Sequence, residues 1–425
     1  MSKFPYIAMG IAFAATISSS TCAADPLDFE QALRLARDRS RQLVAQDTAA
    51  QAAREMAVAA AQLPDPTLRL GINNLPIDGP DRFSVARDFM TMRSIGVAQE
   101  FTGADKRRAR AARFEREVDG ARAMRDLTLA NLQRDTALAW LERYYQEAMR
   151  GLLERQRDEA RLQIDAAEAA YRGNRGSQSD AIAARSAVAL MDDRIAQIDR
   201  QIATAKTLLA RWVGGAADRP MGARPTTDDV RLTEAELDTQ LTHHPEIAVM
   251  ATREEVATAE AQIARADRRA DWGVEFMFSQ RGSSFSNMVS LNLSIPLQWD
   301  QPNRQDRTLA AKLAQTEQLR AEREEATRAH VAEARVLLQT RRSNRERLTH
   351  YDDRLIPLAE ERTRAALTGY RTGASTLTAV LDARRMEIEI RIDRLRLELE
   401  TARLWAQLNY LVPIEHAASP VAAAR

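Results

Sequence analysis

Residues 188–212, VALMDDRIAQIDRQIATAKTLLARW, decide the fold. Val188, Met191, Ile195, Ile198, Ile202, Ala205, Leu209 and Trp212 recur at alternating spacings of three and four. Eight consecutive seam positions describe a coiled-coil helix with a narrow apolar stripe. Upstream, residues 104–170 contain no proline and only two glycines. At 1.5 Å per residue such a helix runs about 100 Å, which a globular domain has no use for. Residues 171–177 (YRGNRGS) break the two helices apart, and so short a break implies an antiparallel hairpin.

Before the hairpin, residues 28–63 read as one alanine-rich helix, stopped by Leu63-Pro64-Asp65-Pro66. Residues 67–73 alternate Leu68, Leu70 and Ile72 with Thr67, Arg69 and Gly71, a strand pattern. A turn-rich segment follows, and alternation returns over 92–101, with Ile95, Val97 and Phe101 on one face. The order then repeats after a linker at 214–230. A helix over 233–269 leads to strands at 272–280 and 288–297, a long helix at 303–368 with a kink expected at Pro357, and a last helix at 376–411. Tyr171-Arg172 recurs as Tyr370-Arg371, 199 residues on, and Met92 as Met288, 196 residues on. The chain reads as a duplicated unit, 25–213 and 231–412, with a tail at 413–425. The fold class is mainly α with a small β part: long coiled-coil hairpins plus four strands per chain.

Composition agrees. Of 425 residues 45% are hydrophobic but only 5% aromatic, and glycine (16) and proline (14) are scarce. With 61 Lys+Arg against 60 Asp+Glu no basic excess points to nucleic acid. Mean hydropathy is −0.42, and no run beyond the first twenty residues has transmembrane-helix length, which excludes a polytopic helical membrane protein. Residues 1–24 read as a secretory signal, with Lys3, an apolar stretch from Tyr6 to Ile17, and Cys22-Ala23-Ala24 before a cleavage site at Asp25. Cys22, the single cysteine, is removed with it on the favoured reading; lipidation of Cys22 is the alternative.

The strands carry apolar residues on one face and small or polar ones (Ser94, Gly96, Ala98, Ser290, Asn292, Ser294) on the other. That pattern serves a wall between lipid and a watery lumen, or a half-buried sheet in a soluble domain. Export, duplication and two very long hairpins favour a barrel shared among subunits, because four strands cannot close one alone.

Gly369-Tyr370-Arg371-Thr372-Gly373, Thr376 and Val380-Leu381-Asp382-Ala383 resemble the second hairpin turn of the TolC family of outer-membrane efflux channels. Leu63-Pro64-Asp65-Pro66, Asn74-Leu75-Pro76, Asp88-Phe89-Met90-Thr91-Met92, and Gly96 through Gln99 and Phe101 to Lys106 resemble its heavy-metal (CzcC-like) branch, which serves RND-type cation pumps. The resemblance implies a homotrimer with a shared 12-stranded transmembrane β-barrel over a helical α-barrel. It implies an outer-membrane location with a long periplasmic extension, and as partners a periplasmic adaptor protein, an inner-membrane RND pump and outer-membrane lipid. The implied cargo is a heavy-metal cation such as cobalt, zinc, cadmium or copper; drug efflux, type I protein secretion, or a pore-free exported structural protein are the alternatives.

Family members close the periplasmic end with a tyrosine, an aspartate and an arginine. Tyr370 and Asp180 fall on the first two, and Ser375 stands where the arginine is expected, leaving Arg175 or Arg371 to substitute. Asp180 reads equally as a carboxylate suited to a helix start. The tips, Tyr171, Arg172, Gly173, Tyr370, Arg371 and Gly373, are the candidate adaptor contacts. No metal site is read: His243-His244 precede Pro245 on diverging directions, His330, His350 and His416 look isolated, and Met90 and Met92 read as packing rather than soft-metal ligands. No catalytic or cofactor motif is present, so neither an enzyme nor a cofactor is expected.

Overall fold

The computed structural model describes residues 25–173, 177–231 and 244–414. The segment expected to be secretory (1–24), Arg175, His243 and the tail from 415 onward lie outside the described residues.

The first helical stretch is two helices, α1 (Phe29–Arg39) and α2 (Arg41–Ala60), not the single helix expected over 28–63. Ser40 is the reason: its backbone is extended, and its hydroxyl accepts from the Leu43 N–H, so a cap replaces helix continuity. Beyond the prolines run β1 (Thr67–Asn73) and β2 (Met92–Phe101). Next come α3 (Ala104–Arg172), at 69 residues the spine of the molecule, and α4 (Gln178–Val213), folded back along it. None of the eight seam residues of 188–212 is exposed, and Ile195, Met191 and Ile198 pack with Met149, Leu152 and Leu153 of α3.

The segment between the repeats is not a free tether. A 3-10 turn (Gly214–Asp218) leads into a strap whose Met221 forms a parallel bridge with Leu27. Arg143, buried on α3, donates to the carbonyls of Ala217 (2.6 Å) and Arg219 (2.8 Å). These bonds satisfy backbone oxygens that burial would otherwise strand. Under the strap lies the largest core cluster, in which Trp140, fully buried, meets Phe29 edge-on at 5.4 Å and donates Nε1–H to the Leu27 carbonyl.

The second half runs α5 (Pro245–Ala266), β3 (Trp272–Gln280), β4 (Met288–Ser294), α6 (Gln305–His350), α7 (Ile356–Arg371) and α8 (Leu377–Asn409). His244 caps α5, so within the described residues that helix starts at Pro245 rather than earlier. β4 stops at Ser294, short of the expected 297, where Pro296 has no N–H for a ladder. The long helix expected over 303–368 is interrupted by a π-helical turn, Tyr351–Leu355. Pro357 then stands in the first turn of α7, where its missing N–H costs nothing, and the widened turn ahead of it accommodates the ring. All strands pair antiparallel in one sheet of order β1-β2-β3-β4. Among the described residues no helix is long and apolar enough to cross a membrane.

Candidate functional site: the sheet and the hairpin tips

Register turns the alternation of each strand into rows across the sheet. Leu70, Ile95, Phe278 and Val289 stand side by side, as do Leu68, Val97, Phe276 and Leu291. This face is bare: Leu70 is 70% and Leu291 73% exposed. The opposite face carries Thr67, Ala98, Glu275 and Asn292 in one row, and Arg69, Gly96, Met277 and Ser290 in the next. There Arg69 and Glu275 pair at 3.3 Å, and Asn73 donates to Ser94. A Cβ at Gly96 would lie 2.7 Å from the Phe276 carbonyl, so that row admits no side chain on β2. β1 and β4 are the two edges, and among the described residues each leaves a ladder of N–H and C=O groups without a strand partner.

Helices and sheet are joined at the base. Phe101 stacks on Trp272 at 4.4 Å. Asp271 accepts from the Gly103 N–H at 3.0 Å and pairs with the buried Lys106 at 2.9 Å. At the other end Asp88 Oδ1 accepts from the N–H groups of Met90 and Thr91, and Thr91 donates to the Asn74 carbonyl. Asp88 to Thr91 is therefore turn chemistry, with Met90 46% exposed.

At the far end of the hairpins the two turns are built differently. In the second, Gly373 has φ 78, and the N–H groups of Ala374 and Ser375 both donate to the Gly369 carbonyl. Ser375 closes this turn, its Cβ placed so that a Cβ on Gly369 would meet it at 3.0 Å. In the first, Gly173 ends α3 at φ −83, outside the left-handed region, and Arg172 donates to the Glu168 carbonyl. Tyr171 is 49% exposed, and Arg371 is exposed too. Tyr370 is half-buried against a cluster of Ala167, Ala181, Ala184, Leu377 and Val380, drawn from both hairpins. Asp180 forms a capping box: its carboxylate accepts from the Ser177 N–H at 3.2 Å while its own N–H donates to Ser177 Oγ at 3.1 Å. Above the tips, Arg194 of α4 pairs with Glu389 of α8 at 3.3 Å and Arg384 of α8 with Glu159 of α3 at 2.7 Å, tying hairpin to hairpin. Hydrogen bonding from Arg385, ahead of the opposing desolvation and of Arg194, holds the Glu389 carboxyl below its usual range.

His330 is not isolated. It stacks on His244 at 4.7 Å, and its Nε2 lies 3.3 Å from the Glu246 carboxylate. Burial first, then the neighbouring His330 and Arg134, pushes the His244 pKa down to about 4, so its ring is neutral at ordinary pH. Spacing along the chain gave no signal for this pairing, because 86 residues separate the two histidines.

A family model described as outer membrane efflux protein matches residues 237–412. No curated protein matches the sequence. Among solved structures the chain is similar to the outer-membrane channel OprN, at 16% identity and a TM-score of 0.74, over 91% of this chain and 90% of that one. It is similar to CusC, a protein that forms a transmembrane channel, at 17% identity and a TM-score of 0.73, over 92% and 93%. It is also similar to the outer membrane protein VceC of Vibrio cholerae, at 17% and 0.73, over 90% and 95%. Identities this low carry the fold, which is that of these channels: mostly helix, with a four-stranded sheet at one end.

Proposed function

We propose that the protein is the outer-membrane exit duct of a tripartite efflux system, a passive channel rather than an enzyme. One observation carries this reading: a four-stranded sheet with a bare apolar face, a small and polar opposite face, and both edges unpaired, mounted on a helix of about 100 Å. In water such a sheet would aggregate through face and edges alike. Three copies joined β4 to β1 abolish the edges, put the apolar rows against outer-membrane lipid, and line a pore with Ser290, Asn292 and their neighbours. Exposed apolar residues on the helices, such as Leu162 (69%), Leu190 (60%) and Val336 (59%), then find partners on adjacent protomers.

The tips at Tyr171 to Gly173 and Tyr370 to Gly373 face a periplasmic adaptor, which couples the duct to an inner-membrane RND pump. Asp180 and Tyr370 close the resting tunnel. Heavy-metal cations are the cargo; this rests on the motif resemblance of residues 63–66, 74–76, 88–92 and 96–106, since a duct needs no tight cargo site and tight binding would slow exit. The test is purified protein in a planar bilayer. Stepwise ionic conductance is expected, and its absence at high protein loading would leave an exported structural coiled coil as the better reading. Loss of the gene should sensitise cells to cobalt, zinc, cadmium or copper; sensitivity to drugs alone, or a failure of protein export, would reassign the cargo.

A further inference from the structure

Away from the sheet and the tips, the start of α5 meets α6 in a cluster that transport does not use. His244, Glu246 and His330 bring their ligand-capable atoms within 4.8 Å of one another. Glu333, one turn along α6, stands 3.9 Å from His330 Nδ1. We propose that His244, Glu246 and His330, with Glu333 at the rim, bind a resident divalent transition-metal ion: zinc, cobalt(II), nickel or copper(II).

The donor set selects that class. Two imidazoles and a carboxylate suit cations of borderline softness, whereas magnesium and calcium demand oxygen ligands throughout. Tetrahedral ligands held at zinc distances lie about 3.3 Å from one another. His330 Nε2 and the Glu246 carboxylate are already at 3.3 Å, and Glu246, 52% exposed, has room to swing. His244 is buried, and its stacking on His330 at 4.7 Å holds the two imidazoles at the same cleft. Its Nδ1 accepts from the Glu246 N–H at 3.3 Å; a metal on the other ring nitrogen would shift a proton to Nδ1 and cost that one long bond. The opposing charge is Arg134, which lines the same cleft of ≈ 170 Å³ and donates Nε–H to Asp135 at 3.0 Å. Among the described lining residues Glu246 and Glu333 outnumber it. The exposed Glu246 gives the ion an entry path. Tyr410 and Leu411 at the end of α8 line the same cleft, so a bound ion clamps α5 to α6 beside the close of the helical body.

The experiment uses the untagged full chain in its purified oligomeric form, stripped with chelator. Titration with Co(II) should give the intense visible bands of a tetrahedral imidazole-bound ion, and calorimetry with Zn(II) should saturate at one ion per chain. Mg(II) should give no signal. His330→Gln should weaken Zn(II) binding at least about 100-fold, as expected when a ligand itself rather than its supporting shell is lost. Glu246→Gln, at an exposed side chain that leaves folding undisturbed, should weaken it at least about tenfold, and His350→Gln should leave it unchanged. No binding by the parent chain overturns the proposal. So does an affinity untouched by both His330→Gln and Glu246→Gln, which would make the stacked histidines a packing pair.

Discussion

Asp180 exchanges two bonds with Ser177, so replacing it uncaps α4 as well as removing whatever the carboxylate meets across the tips. Loss of such a capping pair costs about 0.5–2 kcal/mol. Among the described residues the Tyr370 side chain shows no such second duty, and its half-buried ring would be kept by phenylalanine. Tyr370→Phe therefore tests the proposed gate without disturbing the α4 cap. Single-channel recording should show a higher resting conductance for Tyr370→Phe, and for Asp180→Ala a higher conductance together with reduced thermal stability. A Tyr370→Phe channel that conducts like the parent would remove the phenol from the closure. Ser375, placed where the resemblance expects an arginine, instead closes the α7–α8 turn through its backbone N–H. That duty follows from the left-handed Gly373 beside it, which neither composition nor alternation discloses.

At the scale of the element, the sheet sorts neighbouring residues into opposite environments. Leu291 stands in a row with Leu68, Val97 and Phe276, and Asn292 in a row with Thr67, Ala98 and Glu275. Arginine in place of a lipid-facing residue near mid-membrane costs about 2–4 kcal/mol, whereas a lumen-facing arginine is hydrated. Leu291→Arg should reduce heat-resistant oligomer in outer-membrane fractions, while Asn292→Arg should assemble normally and change conductance and ion preference. Equal tolerance of the two would count against this barrel wall. The faces were legible in the sequence because strand side chains alternate with period two whatever the partner. The helical seam was legible for the same kind of reason, its period being intrinsic to the helix. The break at Ser40 was not, because one hydroxyl choosing a cap over a continued ladder leaves an alanine-rich periodicity intact on both sides.

The whole molecule is unfinished as a single chain. Among the described residues both sheet edges are open, and α6 buries only Thr316, Ala334, Arg341 and Asn344 along its 46 residues. If three copies close the barrel, β4 of one lies against β1 of the next. With cysteine at Ser290 on β4 and single cysteines walked along β1 from Thr67 to Asn73, one register should crosslink to covalent trimer in membranes. Crosslinking at every register, or at none while conductance is normal, would mean that the edges meet otherwise.

Sequence by itself determined the helix and strand content, the duplication and the two-faced strands, since each is a periodicity that a short window of residues imposes on its own backbone. Only the tertiary structure decided where those pieces meet. It ties the segment after Gly214 down to Arg143, places Asp271 against Lys106 across 165 residues, and stacks His330 on His244. Contacts of that kind depend on where two distant helices cross, and a crossing is set by the packing of every residue between them rather than by the pair that it brings together.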